Sequence, residues 1–381
     1  MTKLEKLMQE FCPDGVEYKK ICEIATIARG VRLVREQLKS EGEIPVFQNS
    51  LKPLGYHDKS NVKANAVFVI GAGAAGEIGY SKVDFWAADD CYYFICPQGL
   101  NNRYLYFVLM KNQPLLLSRV RKASIPRLSR TVIENLIIPV PSLELQHEIV
   151  RILDSFTELT AELTAELTAR KKQYEYYRCA LLFSKNYPVI QLSEIASFSY
   201  GYTDKAKDYG NARFIRITDI LDNGCLNEEG AKFVDINSES EKYLLSKGDI
   251  LMARTGATFG KTLWIPNNER AVYASFLIKI QLDNSKILNR YYWHFAQSFL
   301  YWEQAIRLVS SGGQPQFNAN AVGRIKVPIP PLEEQKRIVS ILDRFDKLCN
   351  DISEGLPAEI AARQKQYEYY RDKLLSFKEK K

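Results

Sequence analysis

Histidine is scarce in this 381-residue chain: His57, His147 and His294 are the whole set. No two of the seven cysteines form a CxxC pair, so a zinc site, which needs His and Cys in close spacing, is not expected. Those cysteines (Cys12, Cys22, Cys91, Cys96, Cys179, Cys225, Cys349) are odd in number, and the pattern argues against a disulfide framework. Long apolar runs are also missing. Nothing approaches the roughly 18 residues that span a bilayer, and the start, MTKLEKLMQEF, has no apolar core of signal-peptide length. A cytoplasmic protein is expected. What is present is ordinary for a folded chain: 46% hydrophobic and 25% charged residues, with mean hydropathy −0.25. A net charge of +7 and a pI near 8.8 suit a polyanion partner without requiring one. The length corresponds to two or three domains of roughly 100 to 200 residues.

An internal repeat organises the sequence. PVPSLELQHEIVRILDSFTEL (139–159) returns as PIPPLEEQKRIVSILDRFDKL (328–348), a shift of 189. RKKQYEYYR (170–178) returns as RQKQYEYYR (363–371), a shift of 193, so the second copy holds four extra residues. Fainter echoes join CEIATIARG (22–30) to SEIASFSYG (193–201) and VFVIGAG (67–73) to ILMARTG (250–256). Each copy is a divergent segment of about 130 to 140 residues followed by a nearly invariant helix.

The helices show in their apolar spacing. Ile149, Leu153, Phe156, Thr160, Leu163, Leu167, Arg170, Tyr174, Tyr177 and Leu181 follow steps of four and three, a coiled-coil seam. Ile338, Leu342, Phe345, Cys349, Ile352 and Leu356 repeat it, and Ile360, Arg363, Tyr367, Tyr370 and Leu374 resume after an additional step of four, a stutter. Gly355 and Pro357 lie at that insertion, so a break or kink is expected there, with Pro357 in the first turn of the continuation. Any one stripe could be a bundle core; two matching stripes in one chain favour pairing with each other. A helix pair of roughly 42 residues would be about 60 Å long.

The segments LEKLMQEFCPDGVEYKKICEIA, EIVRILDSFTELTAELTAELTARKKQYEYYR and ISEGLPAEIAARQKQYEYYRDKLLSF resemble the conserved regions of type I restriction-modification specificity subunits. The tandem TAEL units, Thr160–Leu163 and Thr164–Leu167, place the likeness closest to the IC class. The resemblance implies an α+β fold: two pseudo-twofold-related α/β target-recognition domains separated by two long antiparallel coiled-coil helices. On this reading residues 1–14 are an N-terminal segment packing near the helices, 15–141 and 186–331 are the recognition domains, and 142–185 and 332–381 are spacer helices. It also implies a bipartite, asymmetric DNA target, and two docked modification subunits that carry S-adenosylmethionine and methylate adenine. Motor subunits using ATP and magnesium would cleave unmodified DNA. The chain itself would be noncatalytic. Two other readings stay open: an enzyme acting on DNA in its own right, and a coiled-coil scaffold that does not read DNA.

Several segments imitate enzyme motifs. Gly71, Gly73 and Gly76 make GxGxxG after an apolar run, but the motif needs a helix N-terminus for the pyrophosphate, and EIGYSKVDFW that follows favours a hairpin. GATFGKT (256–262) has three residues between its glycines where a P-loop has four, and Pro266 would stop the helix that must follow. Pro13, Asp14, Glu17 and Lys19 echo a nuclease pattern crowded into one loop. IPPL (329–332) lacks the leading Asn or Asp and the aromatic of an amino-methyltransferase tetrapeptide.

Candidate DNA contacts are the polar groups at repeated positions, since bases are read by Arg, Lys, Asn and Gln while phosphate contacts set register. Arg216, Thr218 and Asp219 end a strand in the second copy, where Gln48 and Asn49 stand in the first. Arg216 could pair with guanine or simply with Asp219. SIPRL (124–128) aligns with GQPQF (313–317); Arg119, Arg121, Lys122, Arg127 and Arg130 surround the first, and Ser310, Ser311, Gly312, Gly313, Gln314 and Gln316 build the second. Arg254 and Lys261 flank the second glycine loop. The clusters Tyr174, Tyr176, Tyr177, Arg178 and Tyr367, Tyr369, Tyr370, Arg371 are too dense for the seam alone. Tyr174, Tyr177, Arg178, Tyr367, Tyr370 and Arg371 are therefore candidates for docking the modification subunits, with packing on the recognition domains as the alternative.

Overall fold

The computed structural model describes residues 12–183, 186–310, 315–351 and 353–380. The fold is α+β, and the sequence repeat is present strand by strand. The first copy runs β1 (Glu17–Lys20), α1 (Ile21–Ile24), β2 (Thr26–Arg29), β3 (Ile44–Phe47), β4 (Gly55–His57), β5 (Ala66–Ile70), β6 (Ile78–Ser81), β7 (Trp86–Ala87), β8 (Cys91–Ile95), α2 (Asn102–Ser118), α3 (Arg130–Glu134) and β9 (Ile137–Val140). It then enters the 41-residue helix α4 (Leu143–Phe183). The second copy runs β10 (Val189–Gln191), β11 (Ala196–Tyr200), β12 (Ala212–Ile215), β13 (Phe233–Val234), β14 (Ile250–Ala253), β15 (Thr262–Trp264), β16 (Ala271–Tyr273) and β17 (Leu277–Leu282). Helices α5 (Asn289–Ala296), α6 (Phe299–Leu308) and α7 (Ala319–Gly323), strand β18 (Lys326–Pro328), and helices α8 (Leu332–Asn350) and α9 (Leu356–Leu374) complete it.

Each copy holds the same three sheets. An antiparallel four-stranded sheet has the order β2-β8-β5-β6 in the first and β11-β17-β14-β15 in the second. A mixed three-stranded sheet has the order β4-β3-β7 and β13-β12-β16, with β3–β7 and β12–β16 parallel. A two-stranded ribbon joins entry to exit, β1–β9 and β10–β18. The strand β5 explains how the layers stack. Alternate side chains of a strand point to opposite faces, and here both faces are covered: Val67 and Val69 enter the core shared with α2, while Ala66, Phe68 and Ile70 enter the core shared with Phe47 and Phe85. An unbroken apolar run results, and each fully buried Val, Phe or Ile contributes about 1.5 to 3 kcal/mol. Strand β14 does the same, with Ile250 and Met252 on one face and Leu251 and Ala253 on the other.

The second spacer helix is interrupted. α8 ends at Asn350 and α9 begins at Leu356, with Gly355 at the junction and Pro357 in the first turn of α9, where a missing N–H costs no helix bond. The first spacer, α4, is continuous through both TAEL units. There Thr160, Leu163 and Leu167 are half-buried and every other residue of the two units is exposed.

The chain divides into two compact units, one from the start to Glu162 together with Ile360 onward, the other Leu163–Glu359. Each unit takes part of both helical segments. The first unit combines its sheets with the first half of α4 and nearly all of α9: Leu145, Ile149, Leu153, Leu374 and Leu375 share one core. The second combines its sheets with the second half of α4 and with α8, through Tyr174, Leu182, Ile338, Leu342 and Cys349. Of the N-terminal segment 1–14, residues 1–11 lie outside the described residues; Cys12 packs against the first core. Among the described residues no helix is long and apolar enough to cross a membrane.

Candidate nucleic-acid interface

A buried polar clamp fixes the globular part of each unit to its long helix. Gln146 accepts from the Asn101 N–H at 2.8 Å and donates to the Pro141 and Gly99 carbonyls. Gln335 accepts from the Leu288 N–H at 2.9 Å and donates to the Pro330 and Lys286 carbonyls. Tyr104 donates to the Pro139 carbonyl at 3.0 Å, and Tyr291 to the Pro328 carbonyl at 2.9 Å. Arg103 pairs with Asp154 at 2.7 Å, and Arg290 pairs with Asp343 and Asp346, each at 2.7 Å. Both guanidiniums lie over aromatic rings: Tyr80, Tyr106 and Phe107 in the first unit, Trp264 and Trp293 in the second. None of these residues stood out in the sequence, although the shared Gln of LELQ and LEEQ was the available signal.

On this frame the polar loops converge. In the first unit the ends of β2, β3 and β5, the turn before β8, and the hairpin Arg121–Arg127 meet. The Ala74 N–H donates to the Asn49 carbonyl at 2.9 Å, and Gln48 Nε2 to Asp89 Oδ1 at 3.4 Å. The Gly73 N–H donates to the Pro126 carbonyl at 3.1 Å, and the Leu128 N–H to the Gly71 carbonyl at 2.8 Å. The glycine loop and the basic hairpin, 50 residues apart in sequence, thus form one surface. Arg121, Lys122, Arg127 and Arg130 are all exposed. Arg130 pairs with Glu134 at 2.7 Å; among the described residues no carboxylate pairs with Arg121, Lys122 or Arg127.

The second unit reproduces these contacts with other side chains. The Gly256 N–H donates to the Pro315 carbonyl at 3.2 Å, and the Phe317 N–H to the Arg254 carbonyl at 2.8 Å. Gln316 bridges both Thr255 and Ser310. Gln314, with Ser311, Gly312 and Gly313, lies outside the described residues. Arg216 is held by Asp219, with Nη2 to Oδ1 at 2.7 Å and Nε to Oδ2 at 3.1 Å; the local ion pair is the arrangement formed, and Thr218 beside it is exposed. Lys261 pairs with the exposed Asp222 at 2.6 Å. Arg254 donates through Nε to the Ser275 carbonyl at 3.0 Å, between the rings of Tyr200 and Phe276.

Both glycine loops are hairpins and not phosphate cradles. β5 turns directly into its antiparallel partner β6, and β14 into β15. Gly73 and Gly256, equivalent in the repeat, have φ of +85° and +69°, which glycine adopts without strain. No helix of useful length follows either loop, so the dinucleotide and P-loop geometries are not formed. Among the described residues no group of His, Cys, Asp and Glu is placed to hold a metal.

The aromatic clusters divide into buried and exposed faces. Tyr174 is buried, stacks on Phe345 at 5.9 Å, and exchanges a hydrogen bond with His294 at 3.2 Å. Arg178 is buried as well, donating to Glu175 and to the Gln297 carbonyl. Tyr177 stacks on Phe345 at 5.3 Å and Tyr370 on Phe156 at the same distance. Tyr367 is half-buried beside Phe107, with Arg371 over its ring. Packing thus engages most of the residues expected to dock partners, because the seam positions they occupy face the cores. The outward rings are Tyr176, 69% exposed, and Tyr369, 60% exposed, equivalent across the 193-residue shift.

A family profile described as the type I restriction modification DNA specificity domain matches residues 13–170 and again 184–362. The chain belongs to this family. A chain from Haemophilus influenzae named as a type I restriction enzyme specificity subunit is 33% identical, across 99% of this chain and 98% of its own length. A type I restriction enzyme specificity subunit of Escherichia coli is 37% identical across 63% of this chain and 61% of its own. Among solved structures, the type I restriction-modification system S subunit from M. genitalium superposes with a TM-score of 0.67 at 18% identity, covering 95% of this chain and 96% of that one. A chain from a study of complex assembly and conformational transition of the type I R-M system gives 0.56 at 15% identity, covering 95% and 98%. At such identities the structures speak for the fold. The two profile matches fall on the two copies of the repeat.

Proposed function

We propose that the chain is the DNA-reading, noncatalytic subunit of a cytoplasmic type I restriction-modification complex, each unit reading one half of a bipartite asymmetric target. One observation carries this: the two units share a scaffold to the level of single buried hydrogen bonds, yet the exposed and half-buried polar groups at their shared loop cluster differ. Gln48, Asn49, Arg121, Lys122 and Arg127 stand in the first; Arg216, Thr218, Arg254 and Gln316 stand in the second. A duplicated binding module keeps its frame and changes its polar chemistry when its two copies meet different base sequences. Chemistry is supplied by partners: two modification subunits using S-adenosylmethionine, and motor subunits using ATP and magnesium.

The spacer follows from α4. Its two TAEL units each add four residues, about 6 Å of helix, or one to two base pairs of B-DNA at about 3.4 Å per pair. Deleting Thr164–Leu167 is expected to shorten the unread spacer and leave both half-sites unchanged. Methylation-site mapping on the deletion variant tests this; retention of the original spacing would rule the ruler out. For the function as a whole, the chain assembled with modification subunits is expected to retain one bipartite sequence from a random duplex pool. Methylation by the chain with S-adenosylmethionine alone would favour the enzyme reading, and absence of any sequence preference in the full complex would favour the scaffold.

A further inference from the structure

The two loop clusters place a guanidinium at one shared point, but from different strands. In the first unit Arg29, the last residue of β2, donates through Nε to the Asp89 carbonyl at 2.6 Å. In the second, Arg254, following β14, donates through Nε to the Ser275 carbonyl at 3.0 Å. Asp89 and Ser275 are equivalent: the preceding Ala88 and Ala274 donate to the Phe47 and Ile215 carbonyls, ends of the equivalent strands β3 and β12. Strand register shows the exchange. Arg29 pairs with Tyr92 as Tyr200 pairs with Ile278, and Gly71 holds the place of Arg254. A side chain at Gly71 would meet the Tyr92 ring at 2.6 Å, whereas Ile278 fills that position beside Arg254. In the first unit an arginine at Gly71 would displace the Tyr92 ring, and the arginine is carried instead on β2, on the other side of β8.

Both guanidiniums are tethered through Nε alone. Among the described residues their terminal nitrogens have no hydrogen-bond or ion-pair partner, so each presents its two-nitrogen edge. Arg29 is exposed, and Arg254 is oriented by Tyr200 and Phe276, 44% and 51% exposed. A fork fixed in advance loses little freedom on binding and matches the O6 and N7 acceptors of guanine.

We propose that Arg29 and Arg254 are equivalent specificity-determining residues, each reading a guanine in the half-site of its own unit through this edge. The proposal rests on the DNA-reading function above. Its test uses the chain assembled with modification subunits and duplex pools randomised in sequence, then the selected duplex and its single-pair variants. The wild-type complex is expected to select a sequence with a G·C pair in each half-site. Lysine keeps the charge and loses the planar fork, so Arg29→Lys is expected to reduce discrimination at one G·C pair on the order of 10- to 100-fold. The other half-site, affinity for random duplex and the salt slope should stay unchanged; Arg254→Lys should give the mirror result. Full retention of discrimination by both lysine variants, as a phosphate contact would give, overturns the proposal, as does a uniform loss on every sequence. If the wild-type complex selects no sequence at all, the DNA-reading function fails instead. Thermal melting of each variant separates misfolding from altered reading; should Arg254→Lys melt early, the exposed Arg29 decides alone.

Discussion

The two units differ most where they are exposed and least where they are buried. Gln146 and Gln335 make the same three bonds, and Tyr104 and Tyr291 cap equivalent carbonyls. At the loops almost no side chain is retained: a basic hairpin in the first unit corresponds to an amide and hydroxyl sequence in the second, though the main-chain bonds that seat them on the glycine loop are the same. Burial explains the contrast. A buried polar group without a partner costs about 1 to 3 kcal/mol, so the clamp tolerates little change, whereas exposed loop side chains are free to follow the ligand.

The comparison is broken most severely by removing the clamp. Gln335→Ala strands the Leu288 N–H and two carbonyls, and Gln146→Ala strands their counterparts; each is expected to lower stability by about 2 to 4 kcal/mol, measured by chemical denaturation. Losses of very different size would show that the clamp is not shared. A smaller and functional effect separates the two loop chemistries. Arg216→Ala leaves buried Asp219 without its ion-pair partner and is expected to alter recognition of one half-site, while Lys122→Ala should weaken binding to all sequences and lower the salt slope by about one. Salt titrations on specific and random duplexes distinguish them; equal effects of both variants on both duplexes would dissolve the distinction.

The smallest effect concerns His294, whose place in the first unit is taken by Phe107. Burial holds its imidazole below the ordinary value of 6.5, outweighing the favourable contact with Asp343. The tautomer protonated at Nε2 donates to Asp343 at 2.8 Å and accepts at Nδ1 from the Tyr174 hydroxyl; Arg290 and Asp346 also face it. Because the folded value is depressed, its contribution to stability is complete above about pH 6.5 and is lost as pH falls through the folded value. The slope can reach about 1.4 kcal/mol per pH unit. His294→Phe, which installs the residue of the first unit, is expected to remove this slope from unfolding measured between pH 7 and 5. An unchanged slope would place the titration elsewhere.

Much of this frame is legible in the sequence because it is written twice. The four-residue insertion with Gly355 and Pro357 marks the gap between α8 and α9, since a proline in the first turn of a helix costs no helix bond. The split between α5 and α6, where the first unit has the single helix α2, is hidden: HFAQSFLYW reads as one apolar stretch, and the cap of Ser298 on the Tyr301 N–H and the bond from Arg178 to the Gln297 carbonyl mark the division. The clamp glutamines read as surface residues of a helix start because their partners are distant in sequence. The tyrosine clusters were legible as too many rings for one seam, but which rings turn outward depends on packing against Phe156 and Phe345. The exchange of Arg29 for Arg254 was invisible, since it depends on the pairing of β2 with β8 and of β14 with β17, not on aligned identity.

Mapping methylated bases across the genome of a host carrying the chain with its modification subunits addresses the central claim most directly, that one duplicated frame presents two different reading surfaces. The expected result is a single bipartite sequence with two unlike half-sites at one fixed spacing. A palindromic target, a single uninterrupted site, or methylation without sequence preference would contradict it.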